Sequence, residues 1–87
     1  MPAPRAEMKS ALAELGRRVA AARRAREISQ EELAWSVGIH TNHLSTIERG
    51  IANPSVAVVL AISSVLGVEI GELMVGLKAG KLRPRKH

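Results

Sequence analysis

The sequence contains no cysteine, aspartate, phenylalanine or tyrosine. Without cysteine the chain forms neither a disulfide framework nor a thiolate site, which fits a reducing cytoplasm. Trp35 is the only aromatic residue, so a surface with several aromatic platforms for stacking on bases is excluded. We expect this single indole to lie half buried beside the first helix.

The absence of cysteine, aspartate and tyrosine also limits the types of catalytic site that the chain could form. The nucleophile systems that remain combine serine or threonine with histidine and glutamate, and the sequence has neither a nucleophile elbow nor a phosphate-binding loop. His40 and His43 lie at i and i+3, but the third histidine, His87, is at the C-terminus, so no third fixed ligand completes a metal site. We therefore predict no enzyme, no metal site and no cofactor.

Long apolar runs are also missing. The longest, residues 56–62, is much shorter than a membrane span, and residues 1–9 lack the apolar core of a signal peptide. We expect a cytoplasmic, nucleoid-associated protein with no membrane partner. A length of 87 residues supports one small domain.

Positive charge is in excess, with 13 Lys and Arg against 8 Glu and a formal net charge of +5. Such a balance favours a polyanionic partner, although charge alone does not distinguish nucleic acid from a membrane surface. Seven basic residues lie in residues 1–27 and five in residues 78–87, which leaves Arg49 alone between them. This distribution fits a protein whose basic flanks attract DNA phosphates while a nearly neutral central part recognises the sequence. The alternative for the C-terminal flank is a tail that only increases solubility.

Residues 28–50 predict two short amphipathic helices joined by a tight turn. Ser29 and Glu32 have the spacing of a capping box, which marks the start of the first helix. Gly38 supplies the left-handed residue that ends it. The buried face of this helix consists of Leu33, Ala34 and Val37.

The second helix of this stretch is predicted over residues 41–49, with Gly50 ending it. Leu44 and Ile47, at i and i+3, face the core. The opposite face is polar and carries Thr41, Asn42, Ser45, Thr46 and Arg49.

This stretch resembles the helix-turn-helix of phage repressors, Cro proteins and XRE-like bacterial regulators. The shared motif combines QEELA, a turn glycine, the ending IERG and, further on, NPS and LGV, and it covers roughly residues 15–73. The resemblance implies an all-α, compact five-helix domain of the lambda-repressor type that binds double-stranded DNA. We divide the chain into an N-terminal arm or helix extension (1–11), this domain (12–77) and a basic disordered tail (78–87).

The resemblance also implies roles for single residues. Gln30 would donate to a phosphate, and Asn42 would read adenine through its amide. Arg49 would contact a phosphate or orient Glu48. The expected DNA-binding set is Gln30, His40, Thr41, Asn42, Ser45, Thr46 and Arg49.

In the same family an arginine at position 23 pairs with the glutamate of the IERG ending, which here implies an Arg23–Glu48 ion pair. Two positions depart from the family pattern. Ile51 stands where a basic residue usually faces the phosphates. His40 stands where a small hydroxyl residue is common, so we expect it to cap the second helix poorly and to touch the DNA backbone instead.

Helices are also predicted on both sides of the motif. The first contains Gly16, so either that helix starts near this glycine or another helix packs closely against it. Helix four, residues 56–66, should bury Val56, Val59, Ile62 and Leu66. Its other side is apolar too, with Ala57, Val58, Ala61 and Val65, which predicts self-association or packing of the N-terminal extension. A short fifth helix should end near Leu73.

We predict a sequence-specific transcriptional regulator, a repressor that binds a palindromic operator as a homodimer. The alternatives are an antitoxin, which would also bind a toxin, or a restriction-modification controller that regulates its own operon. A third is a protein-interaction module that kept the fold and lost DNA binding. The polar set Gln30, Thr41, Asn42, Thr46 and Arg49 argues against the third.

Overall fold

A computed structural model describes residues 5–82 and 84–85, and this part of the chain contains α-helices and no strand. The helices are α1 (Arg5–Ala25), α2 (Gln30–Val37), α3 (Thr41–Glu48), α4 (Val56–Leu66) and α5 (Ile70–Met74). The predicted all-α, five-helix architecture is confirmed. Residues 1–4 of the predicted arm and residues 83, 86 and 87 of the predicted tail lie outside the described residues. None of the described helices has the length and apolar character needed to cross a bilayer.

Local capping sets the bounds of α2. The Ser29 hydroxyl accepts a hydrogen bond from the Glu32 N–H at 3.0 Å, and the Glu32 carboxylate accepts one from the Ser29 N–H at 3.0 Å. Gly38 ends the helix with φ +86°, a conformation that costs little without a Cβ. Because two residues then suffice to reach Thr41, α2 and α3 are joined by a tight turn.

The core lies where the helices converge. Its buried leucine, isoleucine and valine residues recur at three- and four-residue spacing, as amphipathic helices require. Each such side chain contributes about 1.5–3 kcal/mol relative to an exposed position. The largest fully buried members are Val19, Leu33, Leu44, Ile47, Ile62 and Leu66.

Gly16 lies where α1 passes the C-terminal end of α3. A Cβ at this position would lie 2.5 Å from the Glu48 carbonyl oxygen and would also collide with the Ile47 carbonyl. Since α1 runs unbroken from Arg5 to Ala25, the second alternative for Gly16 is correct. Glycine is present because the α3 backbone occupies the space of a side chain.

The prediction for Trp35 is wrong, because its side chain is 88% exposed. Leu33 and Ala34 hold the opposite face of α2 against the core, and helical spacing then turns position 35 outward. The apolar pattern of α2 therefore determines the orientation of the helix, and the large indole follows it into solvent.

The predicted faces of α4 also need correction. Val56 is 71% exposed, because the first turn of α4 lies at the rim of an open groove rather than over the core. Val58 and Val65, assigned to the outer side, are half-buried and pack against the core. The exposed apolar surface of α4 therefore consists of other residues than predicted and includes Val56 and Leu60.

Candidate nucleic-acid interface

The exposed face of α3 is polar along its whole length. Leu44, Ile47 and Glu48 are buried, so helical spacing places Asn42, Thr46 and Arg49 along the centre of the opposite side. Asn42 and Arg49 are exposed and Thr46 is half-buried. The flanks of this face are formed by Thr41, His43 and Ser45. The structure thus brings the predicted α3 residues together on one surface.

The side chains of this face differ in the hydrogen-bonding capacity they retain. The Thr46 hydroxyl donates to the His43 carbonyl at 2.7 Å, so its oxygen can act toward another molecule only as an acceptor. Arg49 Nε donates at 3.4 Å to the Ser45 carbonyl, and most of its guanidinium group points outward. Within the described residues the Asn42 amide makes no hydrogen bond. It therefore keeps both its donor and its acceptor groups.

Glu48 ends α3 as a buried carboxylate that accepts three hydrogen bonds. Arg23 provides two of them, from Nε to Oε2 at 2.7 Å and from Nη2 to Oε1 at 3.0 Å. Gln30 provides the third, from Nε2 to Oε1 at 2.9 Å. Within the described residues Arg49 makes no hydrogen bond to Glu48, and the carboxylate is instead held by α1 and α2.

The Arg23–Glu48 pair joins elements that are distant in the sequence. A bidentate guanidinium–carboxylate pair links α1 to the end of α3, the geometry implied by the resemblance. Its hydrogen bond to Glu48 raises the pKa of Arg23, because the bond favours the charged guanidinium. Arg23 Nη1 also donates to the Ile28 carbonyl at 3.0 Å, so the loop before α2 is held by the same group.

Gln30, the first residue of α2, is half-buried beside this pair. Its hydrogen bond to Glu48 spans 18 positions of the chain and had no local signal in the sequence. The amide nitrogen carries two hydrogens, and one of them is used by Glu48. The second remains for another acceptor, so a phosphate contact is compatible with this arrangement.

His40 and Ile51 flank α3 as the two departures from the family pattern. His40 is the N-cap residue of α3 and makes no side-chain capping hydrogen bond, which confirms the predicted poor cap. Ile51 is 66% exposed and adds apolar surface just after the helix. The N-terminal end of α3 therefore lacks a side-chain cap, and the residue that follows its C-terminal end is not the basic one that the family pattern has there.

Arginines of α1 and of the loop after it bind other parts of the protein. Arg18 Nη1 donates to the carbonyls of Leu73 at 3.1 Å and Val75 at 2.7 Å. Arg26 Nη1 donates to the Leu66 carbonyl at the end of α4. These carbonyls carry the negative end of the helix dipoles, so the guanidinium groups stabilise the C-terminal ends of α4 and α5.

In the basic flank of residues 1–27, Arg18, Arg23 and Arg26 therefore use donors on the protein itself, and phosphate attraction by this flank stays a prediction. Arg17 is exposed but paired, with Nη2 at 2.8 Å from Glu14 Oε1. The hydrogen bonds from Arg17 and then Arg18 lower the pKa of the Glu14 carboxyl. Lys9 and Arg24 are the exposed α1 cations that have no hydrogen bond to the protein within the described residues.

Nothing in the described part of the chain brings three histidine, cysteine or carboxylate side chains together in a way that would hold a metal ion. The α3 face offers hydrogen-bond donors, hydrogen-bond acceptors and one cation, Arg49. Such a surface is suited to recognising another polar surface.

Residues 19–73, from the second half of α1 into α5, match a helix-turn-helix protein family. The chain is similar to the immunity repressor protein of Bacillus phage phi105, with 30% identity over 60 residues, 69% of this chain and 42% of that protein. The chain thus spans less than half the length of that relative. The crystal structure of the restriction-modification controller protein C.AhdI from Aeromonas hydrophila is similar with a TM-score of 0.70 and 34% identity, over 71% of this chain and 94% of that one.

Proposed function

Because the chain belongs to the XRE-like helix-turn-helix family of DNA-binding proteins, we propose that it is a transcriptional regulator that recognises a specific DNA sequence. The main support is the polar outer face of α3, whose residues are held on a helix that α1 and α2 orient through Glu48. An α-helix with such a face fits the major groove of B-DNA. The protein then acts in the cytoplasm, on the nucleoid.

In this proposal α3 reads the bases. Asn42 is the principal reader, because its exposed amide can bond adenine N6 and N7 together. Thr41, Ser45 and Thr46 contact base edges or the thymine methyl group. Since the Thr46 proton is used by His43, Thr46 acts through its methyl group or as an acceptor.

The residues at the ends of α2 and α3 position the domain on the DNA backbone. Gln30 donates its second amide hydrogen to a phosphate, supported by the positive end of the α2 dipole. Arg49 places its guanidinium group on a phosphate at the other end of α3. His40 contacts the backbone beside the turn. These contacts set register and carry no sequence information.

We further propose that the protein binds a palindromic operator as a homodimer. An apolar strip on α4 and α5, formed by Val56, Leu60, Ile70 and Met74, supports this step. Val56, Ile70 and Met74 line one groove, and Ile70 with Leu60 lines the adjacent depression. Leu60 and Met74 are 47% and 43% exposed, an apolar surface that a two-fold dimer would bury.

The biological role that fits best is repression by occupying the operator, in line with the similarity to a phage immunity repressor. A second candidate is a restriction-modification controller that regulates its own operon. The similarity to C.AhdI, over 94% of that protein, favours it. A methyltransferase gene beside the gene for this protein would distinguish the second candidate from the first.

Selection of duplexes from a random library by the full chain tests the proposal. We expect an enriched motif with two-fold symmetry and half-sites whose centres lie about 34 Å apart. A matched pool selected with Asn42→Ala separates base reading from general DNA affinity. Equal retention of all duplexes by the unaltered protein would contradict sequence-specific binding and favour an interaction module on the same fold.

A further inference from the structure

The hydrogen bond between Gln30 and Glu48 links the ion pair to the surface proposed to face DNA. Gln30 Nε2 lies 2.9 Å from Glu48 Oε1, and the same oxygen accepts from Arg23 Nη2 at 3.0 Å. From this geometry we propose that Glu48 is a positioning residue, which fixes the Gln30 amide so that its second N–H is presented to a DNA phosphate. This inference rests on the proposed function.

The chemistry of the two groups allows one orientation of the amide. An ionised carboxylate can only accept hydrogen bonds, so the NH₂ end of Gln30 must face Glu48 and the carbonyl end must face away. Without that partner the terminal torsion of a glutamine is broad and nearly two-fold, and the amide would turn over readily. A flipped amide would bring its carbonyl oxygen toward a phosphate, and the two acceptors would repel each other.

Arg23 keeps Glu48 in this role. Its bidentate bond holds the carboxylate in one orientation, and its third bond, to the Ile28 carbonyl, anchors the guanidinium group to the loop before α2. The series of contacts from the Ile28 carbonyl through Arg23 and Glu48 to Gln30 therefore begins and ends near the start of α2. The outward N–H of Gln30 and the N-terminal end of the α2 dipole favour the same anion.

The ion pair then has a role in DNA affinity in addition to its role in stability. If Gln30 contacts phosphate only when Glu48 orients it, the effects of altering the two sites on DNA binding must be coupled. If Gln30 acts on its own, the effects must multiply. This difference allows a direct test.

A variant without the ion pair must still fold, so both charges are replaced together. Arg23→Met with Glu48→Met keeps similar volume, leaves no buried charge unpaired and preserves the net charge, which makes a folded product the expectation. The matched control is Arg17→Met with Glu14→Met, which removes an exposed ion pair of α1 without touching Gln30. Circular dichroism and unfolding curves verify the fold of both variants.

The measurement is duplex affinity with and without Gln30→Ala in each background. In the unaltered protein and in the control, Gln30→Ala should weaken binding about tenfold, the usual value of a hydrogen bond to a charged group. In the variant without Arg23 and Glu48, the same change should weaken it by less than about twofold, because the unsupported amide no longer binds the phosphate. Equal factors in all backgrounds would overturn the inference and leave the proposed function intact.

A second measurement needs no DNA. Gln30 is the only glutamine, so its side-chain amide gives one NMR proton pair beside those of Asn42 and Asn53. In the unaltered protein we expect the two Gln30 amide protons to have well-separated chemical shifts, and one of them to exchange slowly with solvent. In the Arg23→Met, Glu48→Met variant we expect them to resemble the amide protons of the exposed Asn42. Gln30 protons that exchange as fast as those of Asn42 in the unaltered protein would overturn the inference. If that protein binds no duplex at all, the proposed function fails as well, and a slowly exchanging Gln30 proton would then mark a purely structural bond.

Discussion

Glu48 is the buried carboxylate that connects α1, α2 and α3. Its two oxygens accept three hydrogen bonds from Arg23 and Gln30, at 2.7–3.0 Å, so both oxygens have partners within the protein. A buried ion pair of this kind contributes little net stability compared with apolar residues of similar size. Losing one partner is much more costly, because the other charge remains buried and unpaired.

Replacing Glu48 with Ala should therefore lower the free energy of unfolding by about 3–5 kcal/mol. Chemical unfolding of Arg23→Ala, Glu48→Ala and the double variant measures the coupling between them. Glu14→Ala is the control, since it removes an exposed carboxylate and should change stability far less. Additive losses in the double variant would contradict a functional ion pair in solution.

Asn42 is the residue most directly tied to base recognition in the proposal. Asn42→Ala should relax the preference at one operator position by about 1–3 kcal/mol, while other positions keep their preferences. Asn53→Ala removes the same side chain from the α3–α4 loop and should leave all base preferences as they are. Selection from random duplexes reports both outcomes, and an unchanged motif for Asn42→Ala would refute its assignment.

Among the helices, α1 contributes to the fold in two separate ways. Its Gly16 lets the α3 backbone approach closely, and its Arg18 binds the carbonyl end of α5, while Arg26, just after the helix, binds that of α4. The long first helix is therefore the element against which the other helices are positioned. Its basic side chains contribute to packing more than their number in the sequence suggests.

Gly16→Ala tests the close approach of α1 and α3. Alanine favours a helix by about 1 kcal/mol over glycine, but here its Cβ meets two backbone carbonyls, so we expect a net loss of about 1–3 kcal/mol or more. Gly71→Ala is the matched control, because no atom lies within 4 Å of a Cβ built there. In urea unfolding that variant should be stabilised, by up to about 1 kcal/mol. A stabilised Gly16→Ala protein would show that the two helices lie further apart.

In the molecule as a whole, the basic residues lie mostly in the two flanks, residues 1–27 and 78–87, and only Arg49 lies between them. Arg18, Arg23 and Arg26 hydrogen-bond to other groups of the protein, while residues 78–87 contain five of the thirteen basic residues. The tail is therefore the larger source of nonspecific attraction to DNA in our proposal. This attraction depends on the release of counterions from phosphates, so it falls as salt is added.

Deleting residues 78–87 should flatten the dependence of binding on salt. For B-DNA, each phosphate that the shortened protein no longer neutralises reduces the slope of log K against log salt by about 0.9. A tail of the same length with its five basic residues changed to glutamine separates the effect of charge from that of chain length. If the slope stays the same in both proteins, the tail does not contact DNA.

The apolar strip on α4 and α5 is the surface proposed for dimerisation. Leu60→Lys places a charge on this strip and should give a monomer that binds single half-sites weakly. Ile51→Lys, the same kind of change at an exposed apolar residue outside the strip, should leave the dimer intact. Light scattering at high concentration distinguishes the two, and a monomeric unaltered protein would refute the dimer.

The sequence by itself determined the bounds of α2 and α4, whereas α3 ends at Glu48, one residue before the predicted Arg49. α2 begins after Ser29 and ends before Gly38, and α4 covers residues 56–66, as predicted. These features depend on caps, glycines and apolar spacing, which act over a few residues and are therefore visible in a single sequence. The motif also implied the family and the pairing of Arg23 with Glu48, because a spacing shared with known proteins carries tertiary information.

Apart from the Arg23–Glu48 pair, only the tertiary structure decided which side chains meet across helices. It placed Gln30 on Glu48, turned Arg18 and Arg26 onto the ends of α5 and α4, and left Trp35 in solvent. Apolar periodicity shows which face of a helix is buried, but not which neighbour covers that face or how far the next helix lies. Long polar side chains reach several ångströms, so their partners depend on the relative placement of whole helices, and that placement is decided by the packing of the core.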